Sequence, residues 1–310
     1  MVVICFSTRA VTCCASFLLS TFGFVVSASA SGLTGAVCAD ALIAPVTSQD
    51  GHKSKIRKNR FMPPIICVSW PKVTQFYHAG EIMCGRYALS ASLEDMAAFF
   101  RGEPAHPGLW TWEPNWNMAP GSVAPVLALN GAGARSLVPM RWGLHPHWKT
   151  DMPEGRPLFN ARIETAADKP SFRTPWRRRR CLVPMSGWYE WAGETSPKTP
   201  FYIHPKADEL SCFAGLWDKW RVDEGITLLS YTILTTKATG ALKHLHHRMP
   251  VRLPKDQWQN WLDPDVRPEK TAQHMRGSED LVWHEVAKTV NSGRAQGPKL
   301  IRPVGEAQGG

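Results

Sequence analysis

From Met83 onward the chain is written in short apolar runs of strand length, most of them closed by a turn signal, and this pattern constrains the fold more than any other feature. Val123 to Leu129 reads as a strand, Asn130-Gly131-Ala132-Gly133 as a turn, and Leu137 to Leu144 as the returning strand of a hairpin. Arg180 to Met185, Trp188 to Trp191, Pro200 to His204, Ser211 to Trp217 and Leu228 to Thr236 are further strand candidates. Helical signals are fewer. Ser92 reads as an N-cap with an acid at the third helical position, and Leu93, Met96, Ala97 and Phe100 then fall on one face. A second helix is expected over Pro254 to Leu262, with Trp258, Trp261 and Leu262 turned to the core. The strands outnumber the helices and do not alternate with long helical patterns as βαβ units would. The expected fold is therefore one α+β domain around a mostly antiparallel, barrel-like β-sheet with a few short helices.

The stretch from Met1 to Ile82 has a different character. Ala15 to Val26 is apolar and ends in Ser27-Ala28-Ser29-Ala30-Ser31-Gly32, like a secretory signal whose basic flank is reduced to Arg9. The run is too short and too rich in Ser and Thr for a membrane span. Lys53 to Arg60 is a basic cluster, and the segment after it follows no helical or strand period, consistent with disorder. Residues 1–82 thus read as a leader-like or disordered extension, residues 83–304 as the domain and residues 305–310 as a tail. Two readings of the extension compete: export, or translation that begins at Met83.

Of the formal charge of +10, residues 1–82 contribute seven basic and three acidic side chains, which leaves +6 for the rest. A domain with that surplus suits a phosphate-bearing partner. Thirteen of the 14 Trp follow Met83. The cysteines of the domain are Cys84, Cys181 and Cys212, an odd set without paired spacing. That argues against a disulfide framework or a zinc site and for a reducing compartment.

Four polar islands interrupt the apolar text. In Met83-Cys84-Gly85-Arg86-Tyr87, removal of a preceding Met would leave Cys84 with a free α-amine beside its thiol, a pair able to form a Schiff base and then a thiazolidine with an aldehyde. An isolated Cys is otherwise a small buried hydrophobe. In Asn160-Ala161-Arg162-Ile163-Glu164-Thr165, an extended chain would set Asn160, Arg162 and Glu164 on one side, which is also how a solvated strand face looks. In Gly187-Trp188-Tyr189-Glu190-Trp191, a carboxylate among aromatics sits where its charge is disfavoured, suiting a proton shuttle, although an edge strand could as well turn it to solvent. In His244-Leu245-His246-His247-Arg248, the adjacent His246 and His247 should point apart, and no metal-ligand spacing accompanies them, so one His is read as acid/base. These residues allow either a Cys hydrolase with a His base, or an amine and thiol attacking an aldehyde in a basic groove for single-stranded nucleic acid. The charge favours the second; spacing does not decide.

Seven blocks in order, Met83-Cys84-Gly85-Arg86-Tyr87, Asn117-Met118-Ala119-Pro120, Arg141-Trp142-Gly143-Leu144, Asn160 to Thr165, Arg180 to Pro184, Gly187 to Trp191 and His246 to Pro250, resemble those of the SOS response-associated peptidase (SRAP) family, the abasic-site processing proteins of bacteria and eukaryotes. The resemblance covers about residues 83–304. It implies that Cys84 is the nucleophile that crosslinks to the ring-opened sugar of an abasic site in single-stranded DNA. It further implies that Asn160 orients the linkage, that Glu190 shuttles protons and that His246 is an acid/base at the sugar. Arg86, Asn117 and Arg162 would hold the DNA backbone, with Trp142 and Trp148 lining the groove. Thiol autopeptidase and AP-lyase activities come with the family. No cofactor or metal is implied, and a cytoplasmic, nucleoid-associated monomer is expected.

One departure stands out. The family has Met or a short leader before this Cys, whereas here a long stretch, Met1 to Met83, precedes Cys84, and a peptide bond to its amine would forbid the thiazolidine. Initiation at Met83 is the expectation, with self-cleavage before Cys84 as a second route. The alternative is a non-catalytic single-stranded DNA-binding module with Cys84 blocked, and a thiol protease acting on other proteins is a third reading.

Overall fold

The computed structural model describes residues 85–151, 157–193, 197–207, 209–223 and 226–305. The readings of residues 1–82, and Cys84 itself, lie outside these. The described strands are β1 (Tyr87–Leu89), β2 (Glu103–Pro104), β3 (Asn115–Met118), β4 (Val123–Leu129), β5 (Arg135–Trp142), β6 (Asn160–Arg162), β7 (Arg180–Met185), β8 (Gly187–Ala192), β9 (Thr199–Pro205), β10 (Ser211–Asp223), β11 (Ile226–Lys237), β12 (Arg248–Pro250) and β13 (Leu281–Glu285). The α-helices are short: α1 (Leu93–Phe100), α2 (Ile163–Ala166), α3 (Pro170–Arg178), α4 (Trp258–Leu262) and α5 (Pro268–Ala272). Among the described residues no helix is long and apolar enough to cross a membrane.

Two sheets result. The larger runs β12-β11-β10-β7-β4-β5-β2, with β6 also on β11. Its β5 returns to pair in parallel with β11 at Ser230↔Arg141 and Tyr231↔Trp142, so β11-β10-β7-β4-β5 closes on itself. Closure removes the unpaired edges that an open sheet would leave. The smaller sheet runs β13-β9-β8-β1-β3. All strand pairs are antiparallel except β2–β5, β5–β11 and β6–β11, so the architecture is the mostly antiparallel, barrel-like α+β domain that the sequence pattern calls for.

Local chemistry explains the elements. At α1, Ser92 Oγ accepts the Asp95 N–H at 3.0 Å while the Asp95 carboxylate accepts from the Ser92 N–H, a reciprocal cap, and Met96 and Phe100 are buried. The β4–β5 turn is closed by Asn130 Oδ1, which accepts from the Ala132 and Ala134 N–H groups at 2.9 and 3.0 Å. The helix expected over Pro254–Leu262 is divided into a 3₁₀ turn, Lys255–Gln257, and α4, with Trp258, Trp261 and Leu262 buried as the pattern requires. The segment Asn160–Thr165 is not extended throughout: the strand stops at Arg162 and Glu164 lies on α2. Helix α3 has a narrow apolar stripe, Phe172, Pro175 and Trp176, but Pro175 lies inside it and Pro170 at its first position, and an interior Pro reads as a helix breaker in the sequence.

Tyr87 joins the two sheets. It is wholly buried, its hydroxyl is 2.8 Å from that of Tyr231, and its ring stands 5.1 Å edge-on from Trp142 and 5.9 Å from Phe213. Burying a ring of this size stabilises by about 2–3 kcal/mol. The consequence is positional, because Tyr87 anchors the strand that follows Cys84.

Candidate active site

The anchored strand carries the Gly85-Arg86 segment along β8. Tyr87 pairs with Trp188 and Ala88 with Gly187, and the Tyr189 N–H donates to the Arg86 carbonyl at 3.0 Å. The buried Gly85 precedes Arg86 in this pairing, on the side of β8 that leads toward Glu190. Only glycine fits at 187, since a Cβ there would lie 2.5 Å from the Tyr202 ring and 2.6 Å from the Ile203 carbonyl.

Glu190 is 3% exposed and shares a shallow depression with Trp188, Leu242, His246 and Arg248. The alternative in which Glu190 faces solvent from an edge strand fails, because β8 lies between β1 and β9. The Trp188 indole N–H is buried and has no hydrogen-bond partner among the described residues. His246 Nδ1 lies 3.1 Å from the Arg248 N–H nitrogen and 3.2 Å from the Arg248 carbonyl oxygen. Accepting from the first leaves Nε2 protonated, and donating to the second leaves Nε2 basic, so one backbone site accommodates both tautomers. His246 and His247 do not point apart as expected: their rings stack at 4.3 Å and 28°.

Arg248, which the sequence reading left without a role, ties the site together. Its Nη1 and Nη2 donate to the two Glu164 carboxylate oxygens at 2.8 Å each, and Nη2 also donates to the Thr235 carbonyl at 2.6 Å. Burial pushes the Glu164 carboxyl up, but the hydrogen bonds and charge of Arg248 more than offset this and hold it below the usual carboxylate range. The clamp links α2, β11 and β12. Since β6 and β12 both pair with β11, at Thr235↔Arg162 and Thr235↔Pro250, it brings the Asn160–Arg162 segment and the His246 segment to the same strand. On β6, Asn160 is half-buried and Arg162 exposed, with Ala161 buried between them.

Two expected groove residues are placed otherwise. Trp142 is wholly buried, stacked on Tyr231 at 6.4 Å, with its indole N–H on the Phe159 carbonyl at 2.9 Å; it is a core residue and offers no face to a base. Asn117 is 2% exposed, and its Nδ2 donates to the carbonyls of Ser292, Ala295 and Val290 at 3.0, 3.1 and 3.4 Å. Its Oδ1 accepts from Arg86 Nη1 at 2.7 Å, so it holds Arg86 in place instead of facing a ligand. Trp148, in contrast, is 52% exposed. Cys181 and Cys212 are buried free thiols, and burial pushes both well up, which removes them as nucleophiles.

A closed barrel with a satellite sheet, and a buried carboxylate that shares one depression with an imidazole, frame the comparison with known proteins. The sequence profile of the SOS response associated peptidase (SRAP) family matches residues 83–293, and the chain belongs to that family. The abasic site processing protein YoqW of Bacillus subtilis is 35% identical over 224 residues, spanning 71% of this chain and 99% of the relative. The abasic site processing protein YedK of Escherichia coli is 30% identical over 228 residues, 72% of this chain and all of the relative. The abasic site processing protein HMCES of Gallus gallus is 31% identical over 262 residues, covering 72% and 78% of the two chains. A crystal structure of a protein from Bacteroides thetaiotaomicron shares the fold, with a TM-score of 0.63 at 23% identity over 71% of this chain and the whole of that one.

Proposed function

We propose that this protein processes abasic sites in the DNA damage response by capturing the ring-opened sugar of single-stranded DNA on Cys84. The observation that carries the reading is Glu190, a buried carboxyl that shares one depression with His246 and stands on β8, the strand that pairs with the one following Cys84. The names of the relatives support the substrate.

The α-amine of Cys84 attacks the aldehyde carbon to give a carbinolamine, and loss of one water leaves an imine. The Cys84 thiol then adds to the same carbon, closing a thiazolidine, and its proton passes to the nitrogen. Glu190 takes the proton from the amine and returns it to the departing hydroxyl. A carboxylic acid kept out of water can do both because neither form is strongly solvated. His246 protonates or deprotonates the sugar oxygen during ring opening, and Asn160 orients the linkage. Arg86, held by Asn117, and Arg162 take backbone phosphates, and Trp148 stacks on a base. The same imine acidifies the neighbouring sugar carbon, so strand cleavage by β-elimination is an accessible side path. All of this needs Cys84 at the chain terminus, through initiation at Met83 and Met removal or through self-cleavage before Cys84.

A chain that begins at Met83, mixed with a single strand bearing one abasic site, should give a shifted band on a denaturing gel that is absent for undamaged DNA and for Cys84→Ala. Binding on a native gel without any covalent band would leave a non-catalytic DNA-binding module instead.

A further inference from the structure

Helix α3 carries a row of cations that the site above does not use. Lys169 at its N-cap, Arg173 and Arg177 recur every four residues, so they share one face at intervals of about 6 Å along the axis. All three are exposed, as is Arg178, while Phe172, Pro175 and Trp176 bury the other face. No described carboxylate lies within ion-pair distance of these four cations. Such a row works against the helix. Like charges four apart repel, the first turn holds no acid, and Lys169 stands at the end where the dipole favours an anion. A chain of phosphates would reverse each of these costs.

Each end of the row adjoins a segment that carries a residue of the DNA reading, Arg162 or Trp148. At the near end, the exposed Arg162 precedes α2, and α2 packs on α3. At the far end, Arg179 caps α3 and donates from Nη2 to Asp218 Oδ1 at 3.1 Å. Asp218 is wholly buried and also accepts the His147 backbone N–H at 3.0 Å and faces His147 Nδ1 at 2.9 Å. These bonds, with the Trp220 indole N–H on the Lys149 carbonyl at 2.6 Å, fix the loop that presents Trp148. The carboxylates of this stretch are Glu164, bound to Arg248, and Asp168, the one acid that interrupts the row.

We propose that the exposed face of α3 is a track for the phosphodiester backbone of the single strand that leads away from the abasic site, from Arg162 along Lys169, Arg173 and Arg177 to a base stacked on Trp148. The proposal rests on the DNA reading above and extends its footprint to a helix that reading does not require.

The test is the salt dependence of binding by the full chain to a single strand carrying a tetrahydrofuran abasic analogue, which has no aldehyde and so reports affinity alone. Each phosphate contact contributes about 0.7 to the slope of log K against log salt. Lys169→Gln, Arg173→Gln and Arg177→Gln together should lower the slope by about 2, so the wild type loses about 16-fold more affinity than the variant between 50 and 200 mM salt. Arg173→Lys with Arg177→Lys should keep the slope. The same charge removed elsewhere, by Lys206→Gln, Lys299→Gln and Arg302→Gln, should leave it unchanged. An unchanged slope in the α3 variant, or an equal fall in the control, overturns the track. Covalent capture of an aldehyde-bearing strand at saturating DNA, by a chain beginning at Met83, separates the two readings. Capture with unchanged slopes sinks the track alone, and the stated slopes without capture sink the covalent reading while the track stands.

Discussion

Arg86 Nη1 donates to Asn117 Oδ1 at 2.7 Å across 31 positions of the chain, and the Asn117 amide in turn donates to three carbonyls of the Val290–Ala295 loop. One buried amide therefore ties the segment after Cys84 to the end of the domain.

Replacing Asn117 by Ala should destabilise the protein by about 2–3 kcal/mol, since it strands buried carbonyls and the Arg86 guanidinium. Urea denaturation at neutral pH measures this. Covalent capture should also slow, because Arg86 loses the partner that holds it. A loss of less than about 0.5 kcal/mol, below the net worth of a single hydrogen bond, would mean that water replaces the amide at little cost.

Glu190→Gln keeps the shape and burial of the side chain but removes the titratable proton. Capture should slow by about 100-fold or more, while affinity for the tetrahydrofuran analogue stays within a factor of about two. An equal fall in both would make Glu190 a binding group and not a proton shuttle.

Acid should destabilise the fold in two steps. His145 is 4% exposed, and burial, aided by the charge of Lys149, holds it below its ordinary value of 6.5. The folded form binds fewer protons than the unfolded one, so stability falls as pH drops below about 6.5. Glu164 and Asp280 are pushed up by burial but held lower by Arg248, and by Arg252 with Arg276. Their contribution is present above the ordinary values of 4.5 and 3.8 and is lost as pH falls through the lower folded values. Thermal midpoints against pH should show both steps. His145→Phe should remove the upper one alone, and Glu164→Gln should shrink the lower one.

The Glu164–Arg248 pair is bidentate, but the Glu164 side chain is 41% exposed, so the loss of charge in Glu164→Gln should cost only about 0.5–1 kcal/mol. Arg248→Met should cost more, because Thr235 and Glu164 lose their donor together. Equal costs would show that the ion pair carries the whole effect.

Periodic elements were legible in the sequence. β4 and β7 have the limits their apolar runs predict, and the Ser92 cap marks the start of α1. What failed has physical reasons. Helix α3 is short, carries Pro175 in its interior and sets three Arg among nine residues, so its narrow stripe of Phe172, Pro175 and Trp176 does not read as a helix against those breakers. Trp142 and Trp148 look alike in one dimension, yet the first is paired with β11 inside the barrel and the second stands on a loop. The DNA contact expected of Asn117 comes from the family resemblance alone, and nothing local in the sequence shows that Val290, Ser292 and Ala295, near the far end of the domain, supply its carbonyl partners. Glu190 and His246, distant in the chain, were each visible as polar islands, but only the sheet order brings them to one depression.

The central claim is tested most directly by intact mass spectrometry of the covalent complex formed, without a reducing agent, between a chain beginning at Met83 and a single strand with one abasic site. The mass should equal protein without Met83 plus DNA minus one water, with peptide mapping to Cys84, and it should vanish in Cys84→Ala. An adduct that appears only with borohydride, or that maps to a lysine, would contradict capture by the Cys84 amine and thiol.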